Sequence, residues 1–306
     1  MYDLIFVTKP IQYVNARNAV ETIFQRDRKY ILVIVDHFEG ALNFAKNIIL
    51  NDSIWFDVNL VKSRVEALIL TRKYKVINIF TNSDISKDPF LFKFFHPFAT
   101  LILYEEGWGN YIRDILFDRG PSKRLIYTLL GLNRQYGASR FTKKIFLYRP
   151  SICDVNIEGK VESFAYSFSE YIKKEAGLLR NIFRQAEEDF DSDKVITFIL
   201  PSKKWNKSFD YLDYHFFDSI YLKPHPHTMD YNSDLVKKYN VTVLDNSYFI
   251  ELIVAQTRSK ITIYHDHSMV GVYARFNNVT IHNLGSKENK VLSDFFDKVE
   301  KDDLNN

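Results

Sequence analysis

Short runs of apolar residues alternate along this chain with longer stretches in which apolar positions return at the period of a helix. That alternation predicts a parallel sheet covered by helices on both faces. In the first half, residues 4–8, 30–36, 75–80 and 100–104 read as strands, and residues 14–24, 61–71 and 110–117 as helices. Residues 150–194 break the pattern: 159–169 reads as a connection and 170–190 as one long, charged, amphipathic helix. Strands resume at 195–200, 219–222, 241–244, 260–264 and 279–281. The expectation is an α/β chain of two Rossmann-like domains, 1–154 and 155–306, facing a central cleft with ligands at the carboxyl ends of the strands. No internal repeat interrupts it, and only the polar tail, 301–306, reads as disordered.

Composition is compatible with this. A chain of 306 residues at 46% hydrophobic can fill two cores. The single cysteine, Cys153, allows no intramolecular disulfide and gives no reason to expect an oxidising compartment. The opening segment reads as a buried first strand and not as a signal peptide, and no stretch approaches the ~20 apolar residues of a membrane span. The expected location is therefore the cytoplasm, free or peripheral at the inner face of the membrane. A net charge of +3 is too small to suggest nucleic acid as partner. It is unevenly placed, however: residues 111–149 carry nine Lys or Arg against Asp114 and Asp118. Such a segment is either a solvated face or a surface for an anionic glycan or an anionic membrane leaflet.

Three constellations carry chemistry. Glu105-Glu106-Gly107 closes the run at 100–104 and leads into Trp108-Gly109-Asn110-Tyr111. Two carboxylates at a strand's carboxyl end lie where a ligand would bind, and adjacent side chains point in different directions. One can serve as general base while the other orients the loop or caps a helix; both are also ordinary residues beside a helix N-terminus. The second is Lys223-Pro224-His225-Pro226-His227, after the run at 219–222. Its prolines keep the chain extended, so Lys223 and His225 can face one side as a fixed charge and a proton donor for phosphate. His96-Pro97 precedes a strand and reads as a structural turn. The third is His265-Asp266-His267-Ser268, where Ser268 opens a helix and suits a phosphate oxygen or a plain N-cap. Between the last two, Glu251 can accept from ribose hydroxyls or complement a helix dipole.

Taken together, the acid-acid-Gly triplet and the His-Pro pair resemble the bacterial sialyltransferases, the group that includes lipooligosaccharide sialyltransferases and polysialyltransferases. The lysine two before the His-Pro histidine, Glu251 and Ser268 fall at matching positions. Thr8-Lys9-Pro10-Ile11-Gln12 is similar to the Thr-Pro-Leu-Gln turn of the lipooligosaccharide branch, with one residue inserted. Relatives commonly carry a Ser-Ser or Ser-Thr pair where this chain has Ser268 alone.

The resemblance implies a glycosyltransferase of type B fold, with CMP-sialic acid as donor, a bacterial surface polysaccharide or lipooligosaccharide as acceptor, and neither metal nor cofactor. It implies one inverting displacement. Glu105, in the triplet Glu105-Glu106-Gly107, would take the acceptor's proton, with Glu106 as the competing candidate. His225, beside Pro226, would stabilise or protonate the departing CMP phosphate. Lys223 would meet the cytidine, Glu251 the ribose and Ser268 the phosphate.

Other readings share parts of this pattern. A transferase using CDP-glycerol or CMP-Kdo would share the phosphate site, because fold does not select the donor. His225, His227, His265, Asp266 and His267 have spacings that a metal-dependent hydrolase can use. A non-catalytic interaction protein on the same fold is the plainest alternative.

Overall fold

The computed structural model describes residues 1–85, 87–117, 119–153, 155–184, 195–201, 218–224, 233–244, 249–285 and 289–305. The chain forms two compact units, Met1–Phe168 and Ser169–Asn306.

Unit 1 contains β1 (Tyr2–Val7), α1 (Pro10–Thr22), β2 (Lys29–Val35), α2 (Ala41–Asn51), β3 (Trp55–Val61), α3 (Arg64–Thr71) and β4 (Val76–Thr81). It continues with α4 (Asp88–Phe95), β5 (Thr100–Tyr104), α5 (Pro121–Leu129), β6 (Thr142–Leu147) and β7 (Val161–Ser163). Its seven strands are all parallel, in the order β3-β2-β1-β4-β5-β6-β7. Leu4 to Val7 have no exposed surface, because the central strand β1 is covered on both faces. Local signals set the helix ends. Pro10, whose missing N–H costs nothing there, starts α1. Ser63 caps α3 by accepting from the Glu66 amide at 3.2 Å, while the Glu66 carboxylate accepts from the Lys62 amide at 2.7 Å.

Unit 2 contains α6 (Phe168–Lys174, its first residue in unit 1), α7 (Ala176–Phe183), β8 (Val195–Leu200), β9 (Ser219–Leu222), α8 (Ser233–Lys238) and β10 (Thr242–Val243). It ends with α9 (Ile250–Gln256), β11 (Lys260–His265), α10 (Val270–Tyr273), β12 (Val279–Asn283) and α11 (Lys290–Asn305). Its strands are also all parallel, in the order β10-β9-β8-β11-β12, which repeats the order of the first five in unit 1. One face packs Phe198, Ile250, Ile253, Ile261 and Ile263; another cluster contains Ile199, Ile220, Leu222 and Val241. In each sheet the strand order reverses beside the first strand, at β1/β4 and at β8/β11, where α/β proteins place their ligands.

The structure corrects the pattern-based reading in four places. Unit 1 runs to Phe168, beyond 154, because β7 adds a seventh strand to its sheet after a short 3-10 segment at Val155–Lys160. The helix expected at 110–117 is a single 3-10 turn, Trp108–Tyr111, which stops where Ile112 becomes extended. The long helix expected at 170–190 is broken at Glu175 into α6 and α7, and α7 ends on Arg184 in the left-handed region, φ 50°. The tail expected to be disordered continues α11 through Asn305, beyond a segment that buries Leu292, Phe295, Phe296 and Val299. Among the described residues, no helix is long and apolar enough to cross a membrane.

Candidate functional site

In unit 1 the site is built where β1 and β5 end. The chain leaves β1 through Thr8, whose amide and hydroxyl both donate to Gln12 Oε1, at 2.7 and 2.9 Å. This fixes the buried Gln12 amide with its nitrogen toward Glu106. Gln12 Nε2 then donates to Glu106 Oε1 at 3.2 Å, and Lys9 Nζ donates to the same oxygen at 3.1 Å. Tyr136 donates to Glu106 Oε2 at 3.2 Å. Burial, reinforced by the Glu106 charge, drives the Tyr136 hydroxyl's pKa upward, so it remains a donor. The loop carrying Tyr136 is held by Asp84, which accepts from the amides of Gly137 and Ser139 and from Thr142 Oγ1, at 2.9, 3.2 and 2.7 Å.

The two adjacent carboxylates face different surroundings. Glu105 has 0% exposure, and its Oε2 accepts from the Tyr111 hydroxyl and, at 2.8 Å, from the Tyr148 amide. Its backbone carbonyl accepts from Asn15 at 2.9 Å and its amide donates to Phe146 at 3.0 Å. Glu105 thereby ties together α1, the ends of β5 and β6 and the 3-10 turn. Glu106 instead keeps 21% of its side chain exposed. The turn that follows them needs glycine: Gly107 sits at φ 155°, a conformation that side chains rarely adopt, and Asn110 Oδ1 accepts from the amides of Glu106 and Gly107 at 2.7 and 3.2 Å.

In unit 2, Lys223 follows β9 directly and Glu251 lies in the first turn of α9. The structure brings these two close enough to interact. Burial raises the Glu251 carboxyl's pKa above the ordinary range, and the Lys223 charge works against that rise. His225, Pro226 and His227 lie outside the described residues.

Ser268 follows β11 beyond a sharp bend at His267, φ 51°. Its amide donates to His265 Nδ1 at 3.1 Å, which makes that nitrogen an acceptor and leaves the ring proton on Nε2. The first amides of α10 turn back to Ser268 itself: Val270 donates to its Oγ at 3.3 Å and Gly271 to its carbonyl at 3.0 Å. The hydroxyl retains its own hydrogen to donate. His265 is held neutral at physiological pH, its pKa lowered to about 3 by burial and by the nearby Arg275, His267 and His282. Gly271 permits that packing, since a Cβ there would come 2.2 Å from His265 Nε2. Among the described residues, no group of three or more His, Cys, Asp or Glu converges to hold a metal ion.

Sequence reasoning named Glu105, Glu106, Gly107, Lys223, Glu251 and Ser268, and all six lie on loops or first turns that follow strands. It did not foresee Tyr136 on Glu106, which is 30 residues away along the chain and carries no motif. Nor did it foresee Tyr111 and Tyr148 on Glu105. Lys9 and Gln12 were visible only as part of a turn, without their partner.

No protein-family model and no curated protein sequence matches this chain. Solved structures do. An alpha/beta-galactoside alpha-2,3-sialyltransferase from the luminous marine bacterium Photobacterium phosphoreum superposes over 98% of this chain and 95% of its own, with TM-score 0.60 and 13% identity. A UDP-GlcNAc 2-epimerase from Methanocaldococcus jannaschii, in complex with UDP-GlcNAc and UDP, covers 98% and 92%, with TM-score 0.54 and 10% identity. A wall teichoic acid polymerase covers 98% and 82%, with TM-score 0.50 and 13% identity. The likeness shows the fold: this chain has the two parallel Rossmann-like sheets of glycosyltransferase type B proteins.

Proposed function

We propose that this protein is a glycosyltransferase that moves sialic acid from CMP-sialic acid to a glycan acceptor in one inverting displacement, without metal or cofactor. The observation that carries the reading is Glu106, a partly exposed carboxylate at the carboxyl end of β5, one strand from the switch in strand order, held by Lys9, Gln12 and Tyr136. Lys223, Glu251 and Ser268, the positions that resemble a cytidine-nucleotide site, follow strands in unit 2. The sialyltransferase likeness over nearly the whole chain supports the same reading.

In this reading Glu106 takes the acceptor's proton as the acceptor oxygen attacks, because a base must reach the hydroxyl it deprotonates. Glu105, which the triplet position favoured, is buried under Tyr111 and Tyr148 and holds the loop in place. His225 meets the charge that grows on the departing phosphate, Ser268 donates to a phosphate oxygen, and Lys223 and Glu251 bind cytidine and ribose. The acceptor is a bacterial surface polysaccharide or lipooligosaccharide, and the protein works in the cytoplasm or at the inner face of the membrane.

A second reading, transfer from CDP-glycerol, is favoured by the likeness to the wall teichoic acid polymerase. Parallel incubations with CMP-sialic acid and with CDP-glycerol, each with and without a galactose-terminated acceptor, test between them. Acceptor-dependent release of CMP supports sialyl transfer, whereas turnover of CDP-glycerol alone supports the second reading.

A further inference from the structure

Helix α5 is built inside out. Its positions turned toward the protein are Arg124 and Tyr127, and none of its residues is buried. Arg124 donates to the carbonyls of Leu116 and Phe117 at 2.9 and 2.6 Å and lies 3.8 Å from Asp114. At the period of a helix, Leu125, Ile126 and Leu129 fall on the opposite face, and Leu130 follows at its end. These four are 53% to 75% exposed. Single exposed leucines are ordinary on a protein surface, but a stripe of aliphatic side chains on a helix anchored by its arginine is not.

Basic residues flank the stripe at its amino end, where Arg119 and Lys123 stand exposed at the start of the helix. Asp114, the described acid among residues 111–149, already faces Arg124 and Arg134.

We infer that α5 is the element by which this protein lies on an anionic bilayer, with Leu125, Ile126, Leu129 and Leu130 entering the headgroup boundary and Lys123 and Arg119 meeting lipid phosphates. Interfacial helices combine an apolar face with a basic margin in this way. A second copy of the chain fits poorly, because a two-fold interface would set this basic margin against itself. A protein partner would be expected to meet aromatic anchors at the centre of the patch, and the stripe has none. The inference stands on α5 alone and is independent of which donor the protein uses.

Co-sedimentation of the full chain with vesicles tests it. Binding is expected with phosphatidylcholine vesicles containing phosphatidylglycerol, not with phosphatidylcholine alone, and should weaken as salt is raised. A double variant, Ile126→Asp with Leu129→Asp, should lower vesicle affinity at least about tenfold, and Lys123→Glu should lower it less. Both variants should melt at the temperature of the unaltered protein, since the altered side chains are exposed. Equal binding by the double variant, or no binding to anionic vesicles, would overturn the proposal. So would a dimer in sedimentation velocity that the double variant dissolves, which would assign the stripe to a second copy.

Discussion

Lys9 donates to the same oxygen of Glu106 that Gln12 holds, at 3.1 and 3.2 Å, so the loop after β1 and the loop after β5 are joined at one carboxylate. Glu105, one residue earlier, is bound from inside the protein by Tyr111 and Tyr148. Neighbours in sequence therefore have separable roles, and substitutions should separate them.

Glu106→Gln should lower the transfer rate about 100-fold or more, the usual cost of losing a general base, while leaving nucleotide binding intact. Glu105→Gln keeps an oxygen for both donors and should retain most of the activity. Glu105→Ala leaves buried donors without an acceptor and should cost roughly 1–3 kcal/mol of stability, read as a lower melting temperature. Full activity in Glu106→Gln together with loss in a folded Glu105→Gln would reverse the assignment.

His265 gives a signature in acid. Its folded pKa of about 3 lies below the unfolded value, so its contribution is fully present above pH ~6.5 and is lost as the unfolded chain takes up a proton on acidification. Between pH 6.5 and 5 the loss is about 2 kcal/mol. The buried acids Asp3, Asp84 and Glu251 have raised pKa values and the opposite sign, so the test is a difference between proteins. His265→Asn keeps an acceptor for the Ser268 amide. Its denaturation free energy should fall less than that of the unaltered protein over this range; identical slopes would mean that His265 is not held neutral by the fold.

Much of this arrangement was legible in the sequence. The strands at 4–8, 30–36, 100–104 and 195–200 are continuous apolar runs because they lie inside parallel sheets. β3 was missed because Asp57 and Asn59 interrupt its apolar pattern in an edge strand, and β6 because it opens with Thr142, Lys143 and Lys144. β7 has three residues, too few to show any period. The break between α6 and α7 has no sequence signal, and neither has an arginine in the left-handed region at the end of α7. The carboxylate pair was legible as a candidate at a strand's carboxyl end. Which of the two faces outward depends on Tyr111, Tyr136 and Tyr148, which come from other segments of the fold.

Glu251 should separate stability from binding. Burial disfavours its charged form, so Glu251→Gln should melt no lower than the unaltered protein at neutral pH. In the proposed site it should nonetheless weaken CMP binding, because a carboxylate is the stronger acceptor for ribose hydroxyls. Unchanged CMP affinity, read by calorimetric titration, would remove Glu251 from the site.

The most direct measurement is a thermal-shift titration with CMP, CDP, UMP and GDP. A ligand that binds only the folded protein adds roughly 2.7 kcal/mol at a concentration 100 times its Kd, a rise of several degrees. The account predicts stabilisation by CMP above the other three, and loss of that shift in Lys223→Ala and His225→Ala. Stabilisation by CDP in preference to CMP, or none by any of the four, would contradict it.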